Sequence, residues 1–226
     1  MKHKSVIFTG IAVGILGIAL TIWGNPANMG FCIACFLRDI AGGLGMHRAA
    51  IVQYLRPEII GLGLGAMIIA LFTGEFKVRG GANPLRRFVL GFLMMVGTLA
   101  FLGCPLRMIL RLAGGDLNAL IGLFGFIAGI LVGIAALKSG YNPGRAVPQA
   151  KSTGFVYPVI LLALLAAVLL RPDFIFFSES GPGSMTAPIL AALAAGLLVG
   201  AFAQRSRLCM AGGIRDTFLI KDPDRK

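Results

Sequence analysis

Long apolar runs separated by short polar loops set the pattern of this chain. Six of them, residues 5–23, 58–74, 88–103, 117–137, 155–170 and 187–202, are apolar enough to cross a hydrocarbon core about 30 Å thick, which takes roughly 20 helical residues. The second, third and sixth are short. Their flanks, residues 49–57, 104–112 and 203–216, are expected to extend them or to form separate short helices that enter the membrane partway. Residues 5–23 read as a retained span and not as a cleaved leader, because the apolar core is long and Gly24-Asn25-Pro26 lacks a small-x-small cleavage pattern. The expected fold is an all-α polytopic membrane protein of about six transmembrane helices with short re-entrant helices.

One polar-tipped tract occurs twice. Cys32-Ile33-Ala34-Cys35-Phe36-Leu37-Arg38-Asp39 returns as Cys209-Met210-Ala211-Gly212-Gly213-Ile214-Arg215-Asp216, an offset of 177 residues (209 − 32) with identity at Cys, Ala, Arg and Asp. Each copy follows an apolar stretch, so the repeated unit is a hydrophobic helix running into a small-residue turn with a thiol and then an Arg-Asp pair. Five crossings between the copies, an odd number, would place them on opposite sides of the membrane. Such inverted repeats are the usual construction of secondary transporters, with a site near the midplane made from broken helices. Irregular backbone at Asn25-Pro26, Gly42-Gly43 and Gly212-Gly213 is tolerable at that depth only when buried or lining a cavity.

A single membrane domain over residues 1–226 is expected, with a first repeat at about 5–137 and a second begun at about 154–226. Gly103-Cys104-Pro105-Leu106-Arg107, then Gly114-Gly115-Asp116, ends the third span. No counterpart follows Cys209, where 17 residues remain (226 − 209). The second half is therefore expected to be incomplete, with the missing part supplied by a longer polypeptide or another copy in a homo-oligomer. Gly10/Gly14, Gly61/Gly65 and Gly196/Gly200 have small-xxx-small spacing, read as close helix packing within the chain.

Composition agrees with lipid as the solvent: 57% hydrophobic and 13% charged residues, far from the balance of a soluble domain. The formal charge of +12 does not indicate nucleic acid, because Lys and Arg lie in short loops where they set orientation. With a cytoplasmic N-terminus, the inside segments 1–4, 75–87, 138–152 and 203–226 hold 15 of the 21 basic residues. A multi-pass protein of the inner or plasma membrane follows.

The candidate chemistry lies in the thiols. All four cysteines, Cys32, Cys35, Cys104 and Cys209, sit where an apolar helix meets a Gly/Pro break, with Arg three to six residues on. Three chemistries compete. Cys32 and Cys35 have the C-x-x-C spacing of a dithiol redox site, but the second copy has Gly212 in place of a second thiol. Four thiolates would suit zinc, yet they leave the Arg-Asp repetition unexplained, so no metal is expected. A file of weakly donating, polarizable S–H groups can instead hold a soft sulfur- or selenium-bearing anion loosely at several points, as conduction requires.

In that third reading Arg38, Arg107 and Arg215 supply positive potential at the mouths and Asp39 and Asp216 limit it. The competing reading of each Arg-Asp pair is a helix-end ion pair, since intramembrane charges tend to pair. Met29, Met95, Met108 and Met210 are either soft lining or gap fillers. The sequence contains no Walker motif, H-E-x-x-H or Ser/His/Asp grouping, and His3 and His47 are isolated. Neither an enzyme nor a bound cofactor is expected.

The motif C-[IM]-A-x-x-[LI]-R-D after an apolar helix, twice, with G-C-P-L-R between, resembles the YeeE/YedE family of sulfur-compound transporters, specifically its YedE-like selenium-transport branch. The resemblance spans most of the chain. It implies a helical inner-membrane protein with an hourglass-shaped path, along which thiosulfate or a related chalcogen species passes Cys32, Cys104 and Cys209. It also implies a cytoplasmic sulfur-carrier protein as partner. Cys35 is an extra thiol, and the further glycine-cysteine motif that usually completes family members is absent. The expected function is import of a thiosulfate-like small anion without nucleotide hydrolysis, and the alternative is a membrane thiol-disulfide oxidoreductase using Cys32 and Cys35.

Overall fold

Glycines and prolines divide the apolar runs, and the fold is the set of helices they leave. A computed structural model describes residues 2–81, 83–142 and 144–219; the end of the second repeat and of the basic C-terminus, residues 220–226, lies outside them. Helix α1 (Lys2–Ile22) stops at Gly24, whose φ of +114° no side-chain-bearing residue adopts readily. Helices α2 (Ile33–Gly43) and α3 (Pro57–Phe72) follow, and Pro57 fits the first turn of α3 because its missing N–H has no helical partner there. Strand β1 (Arg79–Gly80) precedes α4 (Pro84–Ala100), which Asn83 caps by accepting from the Arg86 amide. Then come α5 (Pro105–Ala113) and α6 (Leu117–Lys138), β2 (Val147–Pro148), α7 (Lys151–Gly154), α8 (Val156–Leu170), α9 (Ile189–Ser206) and α10 (Met210–Leu219). The strands pair antiparallel, Arg79 with Pro148 and Gly80 with Val147.

Among the described residues five helical stretches are long and apolar enough to cross a membrane: Lys4–Ile22, Pro84–Ala113, Leu117–Lys138, Lys151–Leu170 and Ile189–Leu219. About six are expected from the sequence, and the remaining run forms the shorter apolar helix α3. Helix α3 has 16 residues between Arg56-Pro57 and a left-handed Gly74, about 24 Å at 1.5 Å per residue. Two of the three flanks form separate helices. Leu102 (φ 60°) and Gly103 break α4 from α5, and Arg207 (φ 55°) breaks α9 from α10. The third flank, residues 49–57, is irregular up to Arg56.

Helices α3 and α9 form the tightest contact. A Cβ on Gly61 would meet the Leu193 carbonyl, on Gly65 that of Leu197, on Gly196 that of Glu58 and on Gly200 that of Leu62. The two small-xxx-small motifs face each other, and glycine lets the backbones touch. By contrast a Cβ on Gly10 or Gly14 has nothing within 4 Å, so that motif packs against no part of the described chain. Helix α4 has no buried residue and α6 only Ala119 and Ile134, leaving Phe88, Phe92, Ile121 and Phe124 exposed as a lipid-facing surface would be.

Residues 171–186 fold back on residues 43–56. Phe176 N donates to Gly43 O (2.9 Å), Ser178 N to Gln53 O (2.8 Å) and Gly183 N to Ile51 O (2.8 Å). These bonds satisfy irregular backbone that lacks helical partners and has little access to water.

Candidate functional site

Two short helices begin at cysteines, and their N-termini meet. Cys32 is the N-cap of α2 and Cys104 the N-cap of α5, both in extended conformation before the first turn. Cys35, one turn into α2, points back to Cys32, and the Sγ atoms are 2.9 Å apart as free thiols. Cys104 is the other thiol neighbour of Cys32, and its sulfur lies over the amides of Leu106, Arg107 and Ile33. Exposure of the three residues is 0%, 1% and 8%, so the cluster is closed to water and lipid. Met29, Phe36, Ile59 and Leu161 complete the apolar shell, with Met108 buried on α5 and Met95 packed against the shell.

Arg107 brings the charge. Its Nη1 donates to Cys35 Sγ at 3.1 Å, and its Nε is buried without any hydrogen-bond partner. A guanidinium and the free N–H groups of two helix N-termini therefore converge on three polarizable sulfurs, which favours anionic sulfur or an anionic ligand.

Beside the thiols lies a buried ionic network. Asp39 is fully buried and split between two arginines: Arg38 donates to Oδ1 (2.7 and 3.1 Å), and Arg56 to Oδ2 (2.7 and 2.9 Å). Arg56, also fully buried, donates to the carbonyls of Pro182 (2.7 Å) and Met185 (3.0 Å). Its guanidinium lies 4.6 Å from the Phe36 ring and 5.1 Å from that of Tyr54. Glu58 Oε1 lies 3.9 Å from Arg56 Nη1. Glu58 Oε1 accepts from Asn25 Nδ2 (2.9 Å), and Asn25 Oδ1 accepts from the Ala187 amide (2.8 Å). The network joins α1's exit, α2, α3 and the 171–188 loop, so the thiol helix α2 is held by paired charges as well as by apolar contact.

The other sequence-selected residues are placed differently. Cys209 is exposed and caps α10, where Gly212 N donates to its Sγ at 3.3 Å. It does not join the other three thiols, which removes a four-thiolate zinc arrangement within one chain; α10 packs on α6, away from α2. Arg215 and Asp216 pair with each other at 2.7 Å, as Arg38 and Asp39 do. Both copies place a cysteine at the start of a short helix carrying an internal Arg-Asp pair, but only Cys209 accepts a backbone amide there, since Cys32 makes no side-chain cap bond; of Arg38, Arg107 and Arg215, Arg107 hydrogen-bonds a thiol. Among the described residues no group of three or more His, Cys, Asp or Glu is arranged to hold a metal. A groove of about 330 Å³ between Gly17, Thr21, Asn28, Gly30 and Leu110 lies toward the C-terminal end of α5, away from the Cys104 end.

Sequence reasoning did not single out Arg56, Glu58 and Asn25. Charges on both sides of Pro57, at the mouth of an apolar run, were the available signal, since an isolated intramembrane charge is costly and a pair at a helix start implies partners. No family model matches the chain, and neither a curated protein nor a solved structure matches it.

Proposed function

We propose that the chain is a multi-pass permease of the inner or plasma membrane that imports a thiosulfate-like sulfur or selenium anion along its thiols, with its N-terminus in the cytoplasm. The observation carrying this reading is the meeting of Cys32, Cys35 and Cys104 at the N-termini of α2 and α5 under Arg107. Soft sulfurs, helix-end amides and one guanidinium provide several moderate contacts for a chalcogen dianion and no single deep trap. The cluster is closed, so α5 must shift from α2 for an anion to pass. Cys209 serves the second, inverted copy, and a cytoplasmic sulfur-carrier protein receives the anion. The motif resemblance to YeeE/YedE transporters supports the same reading.

Uptake of labelled thiosulfate into liposomes tests it. Replacing Cys32, Cys104 or Cys209 by Ala should abolish uptake, Arg107→Ala should weaken it most at low ionic strength and least at high ionic strength, and Cys35→Ala should be mild. Full uptake in Cys104→Ala would sink the permease reading. Tags in the 75–87 and 171–186 loops should report opposite sides of the membrane; both on one side would overturn the inverted arrangement. The 2.9 Å approach of Cys32 to Cys35 favours a second reading, a membrane thiol-disulfide oxidoreductase, in which Cys35 is as necessary as Cys32 and Cys209 is dispensable.

A further inference from the structure

Conduction alone does not explain why a second thiol, Cys35, stands only in the first copy. The second copy has Gly212 at that position, yet in the first copy Cys35 is the thiol that Arg107 contacts and that stands 2.9 Å from another buried thiol. A thiolate forms most readily beside a guanidinium and in the first turn of a helix, and Cys35 has both. Arg107 Nε, buried and unpartnered, is a donor left over after Nη1 has engaged the sulfur. Hydrogen-bonding groups in that position suit the oxygens of a leaving sulfite. Nucleophile, resolving thiol and leaving-group donor therefore lie side by side.

We propose that Cys35, Cys32 and Arg107 form a sulfur-accepting site for sulfane-sulfur anions of the thiosulfate class. This rests on the permease reading for its substrate, and adds a reaction to it. The Cys35 thiolate attacks the outer sulfur of thiosulfate; the new bond is Cys35 S–S, the sulfur-sulfur bond of thiosulfate breaks, and sulfite leaves with the bonding pair. The products, a Cys35 persulfide anion and sulfite dianion, carry the same total charge of minus three as the reactants. Cys32 then attacks Cys35 Sγ, closing a Cys32–Cys35 disulfide and expelling the outer sulfur as hydrosulfide, which takes the Cys32 proton. The pair is oxidised by two electrons and the sulfane sulfur is reduced by two. A second turnover requires a protein dithiol as reductant; the first does not.

The experiment uses the reduced 226-residue chain in liposomes and thiosulfate carrying the radiolabel on the outer or on the inner sulfur. For the adduct assay all variants carry Cys209→Ala, so that the exposed thiol contributes no label. With Cys32 and Cys104 also replaced by Ala, the outer label should remain bound to the protein on a non-reducing gel and be released by dithiothreitol, while the inner label is never retained. With Cys32 and Cys104 present, one sulfite should be released per chain and both thiols of the pair should become resistant to alkylation. Cys35→Ala should abolish adduct and sulfite release. Absence of both outer-label adduct and sulfite release, with uptake intact, overturns the sulfur-accepting site and leaves the permease standing. Adduct and sulfite release without uptake supports the site and overturns the permease reading. Adduct that survives Cys35→Ala overturns the assignment to Cys35.

Discussion

Removing the Arg56 side chain tests the buried network most directly, because that side chain is fully buried and every polar contact it makes is defined. Arg56→Ala deletes two hydrogen bonds to Asp39 Oδ2 (2.7 and 2.9 Å) and one each to Pro182 O (2.7 Å) and Met185 O (3.0 Å). Breaking one side of a buried ion pair costs about 3–5 kcal/mol, and each orphaned carbonyl about 1–3 kcal/mol. These terms are not additive, and Arg38 still holds Oδ1, which softens the loss at Asp39. The expected destabilisation is at least about 3 kcal/mol, roughly a hundredfold in the unfolding equilibrium. Titration of the purified protein with denaturing detergent in mixed micelles, followed by circular dichroism, measures it. Arg56→Lys, which keeps the charge without the planar fork, should fall between wild type and Ala. Asp39→Asn and Arg56→Ala should couple by about 1–3 kcal/mol in a double-mutant cycle. A loss below about 1 kcal/mol for Arg56→Ala, or additive single and double variants, would refute the network as the clamp between α2, α3 and the 171–188 loop.

Three other outcomes follow from the same geometry. Gly196→Ala should destabilise by about 1–3 kcal/mol, because its Cβ meets only backbone atoms of Glu58, whereas Gly10→Ala should be near neutral; equal effects in a thermal-unfolding series would contradict the α3–α9 contact. In native micelles a maleimide should modify Cys209 rapidly and Cys32, Cys35 and Cys104 only after denaturation, and rapid labelling of all four would contradict the closed cluster. The Asp116 carboxyl is held below the usual carboxylate range chiefly by the hydrogen bond from Arg111. Its contribution is therefore fully present above the ordinary carboxylate range and lost as pH falls through the lowered pKa; Arg111→Gln should flatten that acid limb of a stability-pH profile, and an unchanged limb would exclude the pair as its source.

Much was legible along the chain because the physics involved is local. Uninterrupted apolar runs mark helices that lipid can accept, and Gly103 marks a stop that residue type anticipates, whereas the break before Cys209 falls at Arg207-Leu208, with neither Gly nor Pro, and Gly212-Gly213 lie within α10. The repeated Cys-x-Ala-x-x-x-Arg-Asp tract forms a short helix with an internal Arg-Asp pair twice, since adjacent ion pairing needs no distant partner. Small-xxx-small spacing identified three candidate contacts, but only the fold could pair Gly61 and Gly65 with Gly196 and Gly200 and leave Gly10 and Gly14 open.

What the tertiary structure alone decided is which distant groups meet. Cys32 and Cys104 are 72 positions apart (104 − 32) and come together because α5 turns back at Leu102-Gly103 and sets its N-terminus against that of α2. Cys209, with the better sequence claim to be Cys32's counterpart, stays apart because α10 packs on α6. Arg56, Glu58 and Asn25 meet one another directly, and the returning 171–188 loop supplies the carbonyls and the amide that complete their hydrogen bonding. Residue type specifies what each group requires, a helix stop, an ion partner or a hydrogen bond. Which partner answers depends on chain reversals and close helix contacts spread over the whole sequence, and no local pattern encodes that choice.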